Sequence, residues 1–183
     1  MIPAQRVEAP RDPVTRWALA ARDGDPGAAS AFVRATQAEV WRFVAALVDR
    51  DSADDLTQEA YLRAFRALPA YEGRASVRTW LLGIARRACA DHIRALVRVR
   101  RLDARVAADR PGHVPDPASG YGAADLLRRL PDDRRAAFAL TQVLGLSYAE
   151  AAEVEGVPVG TIRSRVARAR VDLVDAVTNA MAC

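Results

Sequence analysis

Apolar residues recur along this chain at helical spacing, and no stretch alternates apolar and polar residues long enough to predict a strand. A first pattern starts near Val14, with Trp17, Ala18 and Ala21, and breaks at Gly24-Asp25-Pro26-Gly27. A longer helix is predicted over Ala28–Val48, where Phe32, Val33, Val40, Phe43, Val44 and Leu47 largely share one face. Asp51-Ser52-Ala53-Asp54 offers the next N-terminus, with carboxylates where a helix dipole favours them. That helix, Asp54–Leu68, ends at Pro69, and a loop follows over Pro69–Ala75. Ser76 then caps a helix expected to run to about Leu96. Its apolar stripe is Val77, Trp80, Leu81, Ile84 and Ala88, while Thr79, Gly83, Arg86, Arg87, Ala90 and Arg94 occupy the opposite, polar side.

The periodicity stops over Val97–Gly122, which holds Pro111, Gly112, Pro115, Pro117, Gly120 and Gly122 and predicts a flexible linker. Two further helices, Ala123–Leu130 and Asp132–Leu144, are separated by Pro131. Ser147 caps a short helix, Tyr148–Glu155, and Gly156 stops it where a left-handed residue commonly ends a helix. Val157–Gly160 bridges to Thr161–Arg170, which carries Arg163, Arg165, Arg168 and Arg170 and no acid. On that last helix Ile162, Val166 and Ala169 share one arc, and Arg163, Ser164, Ala167 and Arg168 share a neighbouring one. One arc suits a core and the other a partner, the pattern of a helix-turn-helix that lays its second helix in a DNA major groove. A basic amphipathic helix is also a common solvated surface element. Against that, Glu150, Glu153 and Glu155 are confined to the first helix and the arginines to the second. The fold expected is all-α, with two small helical domains at 14–97 and 123–178, a flexible linker at 98–122 and a disordered tail at 1–13.

Composition narrows the picture. Of 183 residues 51% are hydrophobic but only 6% aromatic, which suits helices packed through Ala, Leu and Val. All 27 basic residues are Arg, so every phosphate or carboxylate contact would come from a planar, bidentate donor. The net charge of +4 matters less than its distribution. Asp51, Asp54, Asp55 and Glu59 form an acidic patch, whereas Arg74–Arg110 holds ten arginines against Asp91, Asp103 and Asp109. Cys89, Cys183, His92 and His113 make no ligand cluster, so no metal or other cofactor is expected. No apolar run reaches signal-peptide or membrane-span length, which predicts a cytoplasmic, nucleoid-associated protein without membrane insertion.

Several segments, in order, resemble one family. Asp54-Asp55-Leu56-Thr57-Gln58-Glu59-Ala60-Tyr61-Leu62-Arg63-Ala64 resembles the region-two signature of bacterial sigma factors. Thr79-Trp80-Leu81-Leu82-Gly83-Ile84-Ala85-Arg86 is similar to the start of the family's helix that reads the melted promoter element. Leu130-Pro131 with Gly160-Thr161-Ile162-Arg163-Ser164-Arg165 is similar to region four. A chain too short for regions one and three resembles the extracytoplasmic-function class.

The resemblance implies that the Asp54–Leu68 helix docks on the clamp helices of the largest subunit of core RNA polymerase. Asp55, Gln58, Glu59 and Leu62 share one face at i, i+3, i+4 and i+7 and would make that contact. It also implies that Tyr71, Arg74, Arg78, Arg86, Arg87 and Arg94 meet the minus-ten element, with Tyr71 either lining a pocket for a flipped base or packing in the core. Thr161, Arg163, Ser164, Arg165, Ala167 and Arg168 would meet the minus-thirty-five element, with Arg165 and Arg170 more suited to phosphate. Promoter DNA and, in some members, an anti-sigma factor are the further partners implied. Catalysis by Asp54, Asp55 and Glu59, as in a metal-dependent nuclease, is disfavoured because no His or nucleophile accompanies them. A stand-alone helix-turn-helix regulator is the remaining alternative, and it would have little use for the acidic helix.

Overall fold

A computed structural model of the chain describes residues 12–73, 75–107 and 123–181. The expected tail 1–13 lies almost wholly outside them, as do 108–122 of the expected linker. Helices α1 (Pro13–Arg22), α2 (Pro26–Leu47), α3 (Arg50–Ala67) and α4 (Val77–Ala107) form a first unit. Helices α5 (Ala123–Arg128), α6 (Asp132–Phe138), α7 (Tyr148–Glu155) and α8 (Val159–Met181) form a second, and no strand occurs among the described residues. The Asp132–Leu144 pattern becomes α6 followed by a π-helical turn over Ala139–Val143.

Local chemistry accounts for most boundaries. Asp12 and Asp25 cap α1 and α2, each with Pro at the first position, where a missing N–H costs nothing. At α7 the Ser147 hydroxyl accepts from the Glu150 N–H while the Glu150 carboxylate accepts from the Ser147 N–H, a complete capping box. These bonds hold the Glu150 carboxyl below the usual carboxylate range. Gly156 closes α7 at φ 65°, in the left-handed region where a side chain would be strained.

Three expected boundaries need correction. Helix α3 starts at Arg50, not Asp54, because Asp49 rather than the acidic stretch caps it, accepting from the Ser52 N–H at 2.9 Å. Helix α4 runs eleven residues past Leu96 to Ala107, so 98–107 is helical where the linker was expected. No Gly or Pro interrupts the chain before Pro111, and arginine tolerates a helix interior well. For the same reason α8 continues past Arg170 to Met181.

The two units share a core. Phe32, Val40, Phe43, Val44, Leu81 and Leu82 from the first belong to the same buried cluster as Leu140, Leu146, Val154, Ile162 and Val166 from the second. Phe32 anchors the first unit, meeting Tyr61 and Phe65 edge-to-face at 6.3 Å. Arg135 of α6 ties the units together, donating to the Leu47 carbonyl at the end of α2 (2.8 Å) and to Arg128 and Leu130 carbonyls (2.9 Å each). Cys89 is fully buried, and burial pushes its thiol up to about 12. At pH 8 only about one molecule in ten thousand would carry the reactive thiolate. Iodoacetamide at that pH should therefore label Cys89 only after denaturation, as peptide mapping would show; rapid labelling of Cys89 itself in the folded chain would contradict this packing.

Candidate nucleic-acid and polymerase interfaces

The acidic face of α3 is presented as the pattern predicts. Ala53, Leu56, Ala60 and Ala64 turn into the core, which leaves Asp55, Gln58 and Leu62 exposed, Leu62 by 54%. Glu59 is half-buried and accepts from Arg63 Nε at 2.8 Å. Arg63 also donates to Asp91 of α4 at 2.6 Å, and these bonds hold the Asp91 carboxyl below its ordinary value. Glu59 thus faces the α3–α4 seam more than a partner. Beside the exposed face lies an open groove of about 560 Å³ between α2 and α3, walled by Trp41, Thr57 and Gln58. Its Trp41 indole donates to Asp54 at 2.7 Å. Sequence patterning did not single out Trp41, which lies about 100° round the helix from Val40 and off the apolar stripe.

Tyr71 is packed rather than free. It is 5% exposed, its hydroxyl donates to the Ala75 carbonyl at 2.6 Å, and its ring lies 4.8 Å from that of Trp80. Burial raises its phenol above the ordinary value. Of the two expectations for Tyr71, a pocket wall or core packing, its burial fits packing. Tyr71 and Trp80, with Ala70, Glu72 and Ala75, line a depression of about 240 Å³. Trp80, assigned to the core stripe, is only half-buried and shares this wall. Arg74 lies outside the described residues.

The arginines of α4 divide into two sets. Arg87 and Arg94 are exposed, Arg94 beside Asp91. Arg78 and Arg86 are engaged, contrary to a freely solvated polar side. Arg78 is ion-paired with Glu39, its Nε donating at 2.8 Å, and also reaches the Leu144 carbonyl at 2.9 Å. The pairing raises its guanidinium above the ordinary value. Arg86 donates to Glu155 of α7 at 2.7 Å. The expected polar side of α4 is thus a docking face: Thr79 and Gly83 are buried, and a methyl on Gly83 would meet the Val154 carbonyl at 3.8 Å. Small residues let α7 approach, and the approach covers the arginine beside them.

The helix wheel of α8 is reproduced closely. Ile162, Val166 and Ala169 are buried, while Arg163, Ser164, Ala167 and Arg168 are exposed on the adjoining arc. Thr161 is half-buried, and its carbonyl accepts from the Ser164 hydroxyl at 2.9 Å. Arg165 is committed elsewhere, to Asp133 at 3.1 Å and Glu155 at 3.4 Å. Arg170 donates to Gln142 at 3.0 Å.

This arrangement of helices and faces has relatives. A model of sigma-70 region 2 matches residues 32–99, and one of sigma-70 region 4 matches 123–173. The ECF RNA polymerase sigma factor SigC of Mycobacterium tuberculosis is 54% identical over 164 residues, 86% of this chain and 87% of that protein. The chain belongs to the extracytoplasmic-function sigma factors. The ECF RNA polymerase sigma-E factor of Escherichia coli is 32% identical over 162 residues, covering 80% of this chain and 85% of its own. Among solved structures, CnrH in complex with the cytosolic domain of CnrY matches with a TM-score of 0.70 and 24% identity, over 92% of this chain and 99% of CnrH. The sigma factor RpoE of Bartonella quintana, solved with the anti-sigma factor NepR, matches with a TM-score of 0.62 and 25% identity, over 80% and 94%.

In this sigma factor the two regions are held by a shared acid. The Glu155 side chain is 5% exposed and faces Arg86 of region two and Arg165 of region four. Breaking a buried ion pair from one side leaves the other charge uncompensated, a cost of about 3 kcal/mol. Glu155→Gln should lower the denaturation free energy by about that amount. It should also enlarge the radius of gyration in small-angle scattering. An unchanged radius would mean that the apolar cluster and the Arg135 and Arg78 bonds hold the regions together without Glu155.

Proposed function

We propose that the chain binds core RNA polymerase through the exposed Asp55, Gln58 and Leu62 of α3. In this reading α4 and α8 direct initiation at two-part promoters. As a member of a family of non-catalytic initiation factors, it leaves bond-making to polymerase and supplies promoter choice and strand opening. One observation carries this best: α3 buries Ala53, Leu56, Ala60 and Ala64 while exposing Asp55, Gln58 and Leu62, and α8 buries Ile162, Val166 and Ala169 while exposing Arg163, Ser164, Ala167 and Arg168. A stand-alone regulator gives no reason for an exposed Leu62 flanked by Asp55 and Gln58. A nuclease centre on Asp54, Asp55 and Glu59 is disfavoured further, since Trp41 holds Asp54 and Arg63 holds Glu59.

On DNA, Arg163, Ser164, Ala167 and Arg168 read the minus-thirty-five element in the major groove, with Thr161 at the rim. The depression between Tyr71 and Trp80 accepts an unstacked base of the minus-ten element, while Arg87 and Arg94 hold phosphates there. Arg86 joins only after region four leaves region two, because Glu155 occupies it in the packed arrangement, whereas Arg78 and Arg165 are paired within their own regions, with Glu39 and with Asp133 and Glu155. That separation is required in any case. The two elements lie about 25 base pairs apart, about 85 Å of duplex at 3.4 Å per step. An anti-sigma partner, as in the CnrH and RpoE complexes, would regulate the chain in the cell interior.

Two measurements test the proposal. Asp55→Ala combined with Gln58→Ala should abolish capture by core polymerase while leaving the far-ultraviolet dichroism unchanged; undiminished capture would remove the α3 assignment. Arg168→Ala should reduce run-off transcription about 5- to 150-fold, the worth of one bidentate arginine–guanine contact. The loss should be confined to promoters with an intact upstream element. Equal loss on all templates would reassign Arg168 to the backbone.

A further inference from the structure

Helix α4 runs to Ala107, past the end of the region-two match at residue 99, and its later turns have an unusual charge pattern. At 100° per residue Arg87, Asp91, Arg94, Arg98 and Arg101 fall within an arc of about 80°. All are exposed. The core-facing residues Leu81, Ile84, Ala85 and Ala88 lie on the other side. The extension's one acid, Asp103, is not three or four residues from Arg98 or Arg101, so these two lack the i, i+4 partners that usually accompany surface arginines. The single acid of the arc, Asp91, is already covered by Arg63 and Arg94. Elsewhere in the chain the acids find their arginines: Glu39 with Arg78, Glu155 with Arg86 and Arg165, Asp172 with Arg134. Arg87, Arg98 and Arg101 have no ion pair among the described residues.

We propose that Arg98 and Arg101 extend the basic row of α4 into a rail for the phosphates of the duplex between the two promoter elements. This rests on the sigma-factor reading and adds a site to it. From Arg87 to Arg101 the helix rises about 21 Å, and B-form DNA presents a phosphate about every 1.7 Å along its axis, so several phosphates lie within reach of the row. The polarity of α4 sets the direction. Its first turns carry Trp80 and the base-sized depression, and the row leads from there toward Ala107, away from the melting loop. Arginines without protein partners keep their charge available and read no sequence, which suits a spacer of arbitrary composition.

The test uses full-length protein assembled with core polymerase on a promoter fragment selected by run-off transcription from a random library. Affinity is measured against salt for wild type, Arg98→Gln with Arg101→Gln, and Arg98→Lys with Arg101→Lys. Losing two phosphate contacts lowers the salt slope by about 1.8, so a fourfold rise in salt should weaken wild type about twelvefold more than the Gln pair. The Lys pair should keep the wild-type slope. On a template cut back to the upstream edge of the minus-ten element, wild type and the Gln pair should bind alike. A Gln pair with the wild-type slope on the full fragment would overturn the rail, as would an equal deficit on both templates. Wild type forming no promoter complex at all would instead overturn the sigma-factor reading, and the rail with it.

Discussion

Everything distinctive in this structure depends on how closely α7 approaches α4. Thr79 and Gly83 present so little bulk that the α7 backbone reaches α4, bringing the Glu155 carboxylate onto Arg86. Burial then gives the pair its force: two charges removed from water must stay together, because either alone would be stranded in a poorly polarisable surrounding. Arg165 joins from the recognition helix, so one acid holds a region-two arginine and a region-four arginine at once. Arg135 and the continuous apolar cluster add a second fastening on the far side. The packed form is therefore specified by side chains from both regions rather than left over from a short linker.

The same contacts explain why the DNA-directed residues split into free and engaged sets. Region four keeps its groove-facing arc open, because Ile162, Val166 and Ala169 satisfy the core without it. Region two differs: its docking face includes Arg86, so under the proposed function packing and DNA contact compete for one guanidinium. Helix α3 stands outside that competition. Its exposed Asp55, Gln58 and Leu62 are bare in the packed form, which leaves polymerase docking possible before the regions separate.

Much of this was legible in the chain. Helices were legible wherever a cap and an apolar stripe coincided: Ser147 and Gly156 bracket α7 as expected, and the α8 wheel separates buried from exposed residues correctly. The misjudged boundaries were those without a breaker. Nothing between Leu96 and Pro111 stops a helix, and arginine-rich sequence was taken for linker because it lacks an apolar stripe. Asp49 took the cap ahead of the acids that follow it, since only one residue can occupy that position.

The site was harder to foresee, for a physical reason. A helical wheel sorts residues by their own helix, whereas burial of a polar residue depends on what another helix brings. Thr79, Gly83 and Arg86 form a polar arc by composition, and only the arrival of Val154 and Glu155 turns it into an interface. Tyr71 and Trp80 illustrate the converse. Each was judged separately, Tyr71 left between base pocket and core and Trp80 assigned to the core, but their rings meet at 4.8 Å and make a single wall. A flipped base entering that depression would meet a surface already stacked in advance. Loss of either ring would disturb both the loop and the wall it shares, so the two aromatics act as one structural element.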